Sequence, residues 1–313
     1  MPEKIPIITS LSPTIARRGK DGADIGKEYQ RVCIESWIAE GFSPVSVNSE
    51  REMERSHMLH PGVTALVVKN DAQSLAGRPL VFFDDMLAAA AKSGAPHIAI
   101  TNADVILKPG FDLYGLISAL PPGKAVVAHR TDIARPDERE GKTYQCGFDF
   151  FALHRDDLAR VPDLGLVFGL PWWDHFLPTM LSLRGVQLID FGDRFVFHLL
   201  HDERWRPEVW RRVGMRYVKR LAKFVKHERS LGSARAATFE HLLRSALADS
   251  EPRWSMRRMI AKRLPWRHDR EADAVLLRVS DMTVRFVDER REIRGVSSGE
   301  GQEGATDEMS TAG

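Results

Sequence analysis

The chain has 313 residues, 43% hydrophobic and 28% charged, with a formal net charge of +2 at pH 7. That length can bury a full core in one large α/β domain with an appendage, or in two domains. The small net charge gives no whole-chain ground for a nucleic-acid partner. Two cysteines, Cys33 and Cys146, both within apolar patterns, argue against a disulfide framework and for a reducing cytoplasm. The apolar run Ile5 to Ile8 is too short for a signal peptide and no segment reaches membrane-spanning length, so a soluble or at most surface-bound protein is expected.

Ile5 to Thr9 reads as a first strand, followed by the loop Ser10-Leu11-Ser12-Pro13. Arg17, Arg18, Gly19 and Lys20 then form a basic segment, either a solvated loop or a clamp near phosphates. From Glu28 to Glu40, Tyr29, Val32, Cys33 and Trp37 recur at helical spacing, and Gly41 stops the helix. Val45 and Val47 alternate with polar neighbours and lead into Asn48-Ser49-Glu50. Ser49 followed by acids also suits a helix N-terminus for Glu50 to Met58. Val63 to Val68 is a third apolar run. Gly77-Arg78-Pro79 opens a helix that keeps Phe82, Phe83, Met86, Leu87, Ala90 and Ala91 in period up to Gly94. This rhythm of strand and helix is that of parallel crossover units.

The most informative stretch is His97 to Leu107. Ile98 to Ile100 follows Gly94 and Pro96, is too short for a helix, and reads as a buried strand. Its end carries Asn102 and Asp104, two residues apart, where an open α/β sheet gathers its ligands. Both can offer oxygen to a hard divalent cation, although the same triplet also serves as an Asx-turn. Lys108-Pro109-Gly110 makes a turn, Phe111 to Leu120 a helix, and Ala125 to Ala128 another strand ending in His129 and Arg130, a candidate bidentate phosphate donor. Thr131 to Lys142 reads as a mobile surface loop.

Gly147-Phe148-Asp149-Phe150-Phe151 sets a carboxylate among phenylalanines, a costly arrangement unless that carboxylate is paired or hydrogen-bonded. Leu170-Pro171-Trp172-Trp173-Asp174-His175-Phe176 reads as a helix start, with Asp174 held ionised by the dipole; its tryptophans are either sugar platforms or core. Gln187 to Asp190 and Phe195 to Phe197 are further strands, the second running into His198-Leu199-Leu200-His201. Two histidines three apart can bind a metal from one helical face. From Arg204 the character changes. Trp210, Val213, Tyr217, Val218, Leu221, Phe224 and Val225 form an apolar stripe, and Arg211, Arg212, Arg216, Lys219, Arg220, Lys223 and Lys226 charge the rest. Such a helix either packs its stripe on the preceding domain or rests on an anionic membrane. A second basic set runs from Trp254 to Trp266, and residues 295–313 have almost nothing to bury and are expected to be disordered.

In this order, the Asn-x-Asp strand end, the Gly-x-Asp-Phe-Phe segment, the Trp-Asp helix start and the late His-x-x-His resemble the bacterial, family 2-like nucleotide-sugar glycosyltransferases of the GT-A fold, over about Ile5 to Trp205. Asn102 departs from that family's first metal-site acid. The resemblance implies a mostly parallel, Rossmann-like mixed sheet flanked by helices in residues 1–203, with a basic helical region at 204–294. It implies transfer of a sugar from a nucleotide-diphosphate donor to a saccharide or lipid-linked acceptor, as in polysaccharide biosynthesis. Asp104 would hold Mg2+ or Mn2+, with His198 or His201 completing the shell. Thr9, Ser10, Asn48, Arg78, Asn102 and Arg130 would meet the nucleotide, Asp149 a sugar hydroxyl, and Asp174 would be the base of an inverting reaction. A sugar nucleotidyltransferase is an alternative, although Ser10 to Thr14 lacks the glycines of its phosphate loop. A noncatalytic carbohydrate-binding or scaffold relative is another.

Overall fold

The computed structural model describes residues 4–17, 22–163, 165–192, 194–201, 206–248 and 265–294, with side chains from 270 onward in the last of these. Arg18, Gly19 and Lys20, most of the basic set that begins at Trp254, and residues 295–313 lie outside the described residues.

The main sheet is built from β1 (Ile5–Thr9), β2 (Phe42–Ser49), β3 (Thr64–Val68), β4 (His97–Thr101), β6 (Lys124–Ala128), β9 (Phe150–His154), β10 (Gln187–Asp190) and β12 (Arg291–Ile293). Their order across the sheet is β12-β10-β6-β9-β4-β1-β2-β3. Only β9 runs against its neighbours, β4 and β6. The expected mixed, mostly parallel α/β sheet is therefore what forms. Parallel strands covered on both faces need apolar residues on both, and β4 supplies them: Ile98 and Ile100 enter one core, Ala99 the other. In β9, Phe151 and Leu153 divide in the same way from Phe150 and Ala152.

A smaller sheet lies beside it, in the order β5-β11-β7-β8, from β5 (Val105–Leu107), β7 (Arg130–Ile133), β8 (Lys142–Tyr144) and β11 (Val196–Leu199). Two expectations are corrected here. Thr131 to Lys142 is not simply a surface loop, because Arg130–Ile133 pairs with both β11 and β8. The charges in that stretch conceal a strand whose alternate residues, Thr131 and Ile133, are buried. His198 is a strand residue paired with Val105 and Asp132, so the two histidines do not share a helical face.

The helices are α1 (Gly26–Ala39), α2 (Glu50–Leu59), α3 (Gln73–Ala76), α4 (Phe83–Lys92), α5 (Leu113–Ser118), α6 (Trp173–Leu183), α7 (Pro207–Ser230), α8 (Ala234–Ala248) and α9 (Pro265–Asp288). Gly77 does not open a helix as expected; it ends α3 in the left-handed conformation at φ 72°. Ser49 does precede α2, but its hydroxyl makes no capping bond. Cys146 is exposed rather than apolar-packed, while Cys33 is buried. Val213, Tyr217, Leu221 and Phe224 of α7 lie in one core with Phe151, Trp172 and Trp173, so the basic helix spends its stripe on the sheet's own covering layer. No helix among the described residues is long and apolar enough to cross a membrane.

Asp84, in the first turn of α4, is hydrogen-bonded to Asp163; burial and that second carboxyl push it up to about 8. The folded chain thus holds a proton that the unfolded chain would release at neutral pH. This contribution favours folding most at low pH, and it declines as pH rises from the ordinary carboxylate range to about 8. Urea unfolding followed from about pH 5 to about pH 8 should show Asp84→Asn losing less stability over that interval than the parent. An equal decline in both would mean the pair does not share its proton.

Candidate active site

The turn between β4 and β5 presents Asp104 at the carboxyl end of a buried strand. Its backbone is pinned from beneath: Tyr29 of α1 donates its hydroxyl to the Asp104 carbonyl at 2.8 Å and accepts the Leu199 N–H at 2.8 Å. One residue on, the Trp37 indole donates to the Val105 carbonyl. The turn is thereby tied to β11, which delivers the histidines. His198 Nε2 lies 3.4 Å from Asp104 Oδ2, and His201 Nε2, two residues past the strand, lies 3.9 Å from it. Ligands at about 2.1 Å from one ion are at most about 4.2 Å apart, so these separations suit a shared cation. Asp104, His198 and His201 are the group of metal-ligating side chains found among the described residues.

Arg17, in the loop after β1, is ion-paired with the same carboxylate oxygen and is itself buried. Burial alone would push the Asp104 carboxyl up, but His198, Arg17 and His201 together hold it well below the usual carboxylate range. His198 moves the other way: burial disfavours its charge, yet Asp104 and Asp132 raise its pKa.

Beyond this cluster the charges continue to alternate. His198 Nδ1 is 3.0 Å from Asp132, Arg130 Nε donates to Asp132 at 2.9 Å, and Arg130 reaches Asp149 at 3.4 Å. The Arg130 guanidinium also lies over the Tyr144 ring at 4.1 Å. Asp149 is buried; burial raises its pKa although Arg130 and Asn102 oppose the rise. Asn102 donates its amide to Asp149 Oδ1 at 2.5 Å. An aspartate at 102 would face a second carboxylate there, which gives a physical reason for an amide at this position.

Asp174 opens α6 from a constrained backbone. Trp172, directly before the helix, has φ 92°, and is the single non-glycine residue with positive φ among the described residues. That conformation is costly for a bulky side chain and tends to occur where function needs it. Here it brings the Trp172 N–H onto Asp174 Oδ1 at 3.0 Å. His175 Nδ1 binds the same oxygen at 3.1 Å, and Ser280 of α9 lies 2.8 Å from His175 Nε2. A Ser280 hydroxyl donating to Nε2 leaves the imidazole proton on Nδ1 for Asp174. One carboxylate oxygen is thus held twice. The other, Oδ2, faces Gly147, where an added Cβ would sit 2.3 Å from it. Asp174 raises the pKa of both Tyr144 and Asp149, which places it in the field of the Arg130 cluster. His129 ties the Gly147 carbonyl at 2.7 Å to Asp288 of α9 at 3.2 Å.

Asp104, His198, His201, Asn102, Arg130 and Asp149 therefore assemble, with Asp174 close by. Of the remaining candidates, Thr9 and Ser10 run alongside Thr101 and Asn102, since β1 and β4 pair in parallel at Ile8 and Ile100. Asn48 is buried, accepts from Ser46 at 2.6 Å and donates to the Leu11 carbonyl at 2.9 Å, so it shapes the loop after β1. Thr9 is buried with its hydroxyl unpartnered, and Ser10 is half-buried. Arg78 is exposed and lies near Glu52. Trp172 and Trp173 are both core, not sugar platforms. Sequence reasoning missed Asp132, Tyr144, His175 and Ser280. Asp132 carried a usable signal, since it stands two residues from Arg130 and so on the same face of a strand.

No family model matches the chain, and no curated protein matches it. Solved structures resemble it remotely. The inositol-1-phosphate CTP transferase from T. maritima shares 13% identity, with 66% of this chain and 93% of that one covered and a TM-score of 0.37. A nucleotidyl transferase from Methanothermobacter thermautotroptrophicus shares 14%, over 64% of this chain and 88% of that one, with a TM-score of 0.36. Likeness at this level assigns no activity. The resemblance to family 2-like glycosyltransferases rests on motifs alone.

At a hundredfold its Kd, a ligand specific to the folded state stabilises it by about 2.7 kcal/mol. Mn2+ should accordingly raise the melting temperature of the parent, raise that of His201→Ala less, and leave Asp104→Ala unmoved. A response of Asp104→Ala equal to the parent's would reject the site.

Proposed function

We propose that this protein is a metal-assisted transferase acting on nucleotide-linked sugars, and that its reaction is inverting glycosyl transfer. The observation that carries the reading is Asp174: one oxygen held by Trp172 and His175, the other turned toward Gly147 beside half-buried Arg130 and buried Asp149. A carboxylate held this way can take the proton of an acceptor hydroxyl as that oxygen attacks the anomeric carbon from the face opposite the leaving group. Asp104, His198 and His201 would hold Mg2+ or Mn2+, which when bound offsets charge developing on the departing diphosphate. Arg17, already against Asp104, supplies a second cation for the same phosphates. Asp149, fixed by Asn102 and Arg130, would accept a donor-sugar hydroxyl.

A second reading, nucleotidyl transfer to a sugar phosphate, is favoured by one observation. The loop after β1 delivers Arg17 to the metal-site acid, as a phosphate-gripping loop would. The two chemistries differ in what leaves: a nucleoside diphosphate in the first, pyrophosphate in the second.

With Mn2+ present, incubation with a panel of UDP and GDP sugars should release the free nucleoside diphosphate. Nucleoside triphosphates with sugar 1-phosphates should release no pyrophosphate. The reverse pattern would move the assignment to the second reading, and neither product would remove it from the transferases. Asp174→Asn should lower kcat by about 10^2- to 10^4-fold while retaining the Mn2+ thermal shift. Gly147→Ala, whose new Cβ would push on Asp174 Oδ2, should lower kcat in the same direction with the metal response intact.

A further inference from the structure

The apolar stripe of α7 is already inside the core, so the helix has no free greasy side to lay in a bilayer. What it leaves outside is charge. Arg212, Arg216, Lys219, Lys223 and Lys226 follow at i, i+4, i+7, i+11 and i+14, one face of a helix and a row about 21 Å long. Arg212, Arg216, Lys219, Arg220 and Lys223, with Met215, line an open depression of about 510 Å³. The acids packed against this face are Asp163 and Asp84, which act on Arg220; Asp163 is also near Arg216. Arg212 bonds the Leu75 carbonyl. Lys219, Lys223 and Lys226 are exposed and have no acidic partner among the described residues. For a chain whose net charge is +2, this is a strong local concentration of one sign.

We propose that this face of α7 docks the protein on an anionic lipid surface. A single phosphate would engage only part of a row this long, whereas a layer of headgroups meets all of it at once. Single-stranded nucleic acid would meet the same cations, but among the described residues no aromatic side chain lines the depression to stack on bases. The uncharged lining residue is instead Met215, 36% exposed, a flexible apolar side chain suited to the headgroup boundary. The face also begins beside the candidate base. Trp210, two residues before Arg212, accepts through its carbonyl from the indole of Trp172, which precedes Asp174 by two. The proposal stands whichever group the active site transfers.

The test is sedimentation of the full chain with vesicles of phosphatidylcholine alone or mixed with phosphatidylglycerol, at low and raised salt. Binding should require the anionic lipid and weaken with salt. The combined Lys219→Glu, Lys223→Glu and Lys226→Glu variant should lose on the order of a hundredfold in vesicle affinity. Its melting temperature and its turnover of soluble substrates should match the parent's. The Lys→Gln version of the same triple should show a smaller loss in the same direction. Equal binding to both vesicle types, full binding by the triple variant, or tighter binding of duplex DNA than of the vesicles at equal salt would overturn the proposal.

Discussion

A continuous run of alternating charge, Arg17 to Asp104, His198, Asp132, Arg130 and Asp149, is the constraint on which the rest of the site depends. Each member is buried or half-buried; Asp104 and Asp132 each lie between groups that carry or can take positive charge, and Asp149 lies between Arg130 and the amide of Asn102. Removing one would leave its neighbours uncompensated in low dielectric, which is far costlier than the net worth of any single pair. The run also joins the two sheets. Asp104 and Asp149 border strands of the main sheet, whereas His198, Asp132 and Arg130 stand on the smaller one. The charge run therefore reaches from one sheet to the other.

Much of this is legible in the amino-acid sequence, for identifiable reasons. Ile98 to Ile100 has to be a strand because breakers bound it and both faces are apolar, and Asp104 then has to fall at the strand's carboxyl end. The late histidines are legible as a pair, but not as a strand and its overhang, because three-residue spacing suits a helix equally well. Arg130–Ile133 is hidden because its polar residues meet other charged side chains rather than water: a strand whose polar face is paired inside the protein loses the contrast that marks it as a strand. By type alone Asn102 is a weakened metal ligand, and only the neighbouring Asp149, 47 residues away in sequence, supplies the physical reason for an amide. Contacts at that separation cannot be found by periodicity.

The surroundings of Asp174 are the least legible part. The residue stands out by its place at a helix start, but its two constraints do not. Trp172 is a bulky residue in a conformation that ordinarily belongs to glycine, and nothing in the sequence marks it. Ser280, which orders His175, comes from α9, more than a hundred positions downstream. The C-terminal third, which the motif pattern leaves unexplained, thus helps to position the site as well as covering the sheet.

That dependence has a temporal side. β12 completes one margin of the main sheet by pairing in parallel with β10, and α9 just before it supplies the partners of both His129 and His175. Pairings between such distant positions form late, after the intervening polymer has been made. A nascent chain with Asp104, His198 and His201 already made would still lack Ser280, the partner of the His175 that holds Asp174. A polypeptide that stopped before α9 would keep every strand of the smaller sheet yet lack Ser280 and Asp288, the groups that hold His175 and His129.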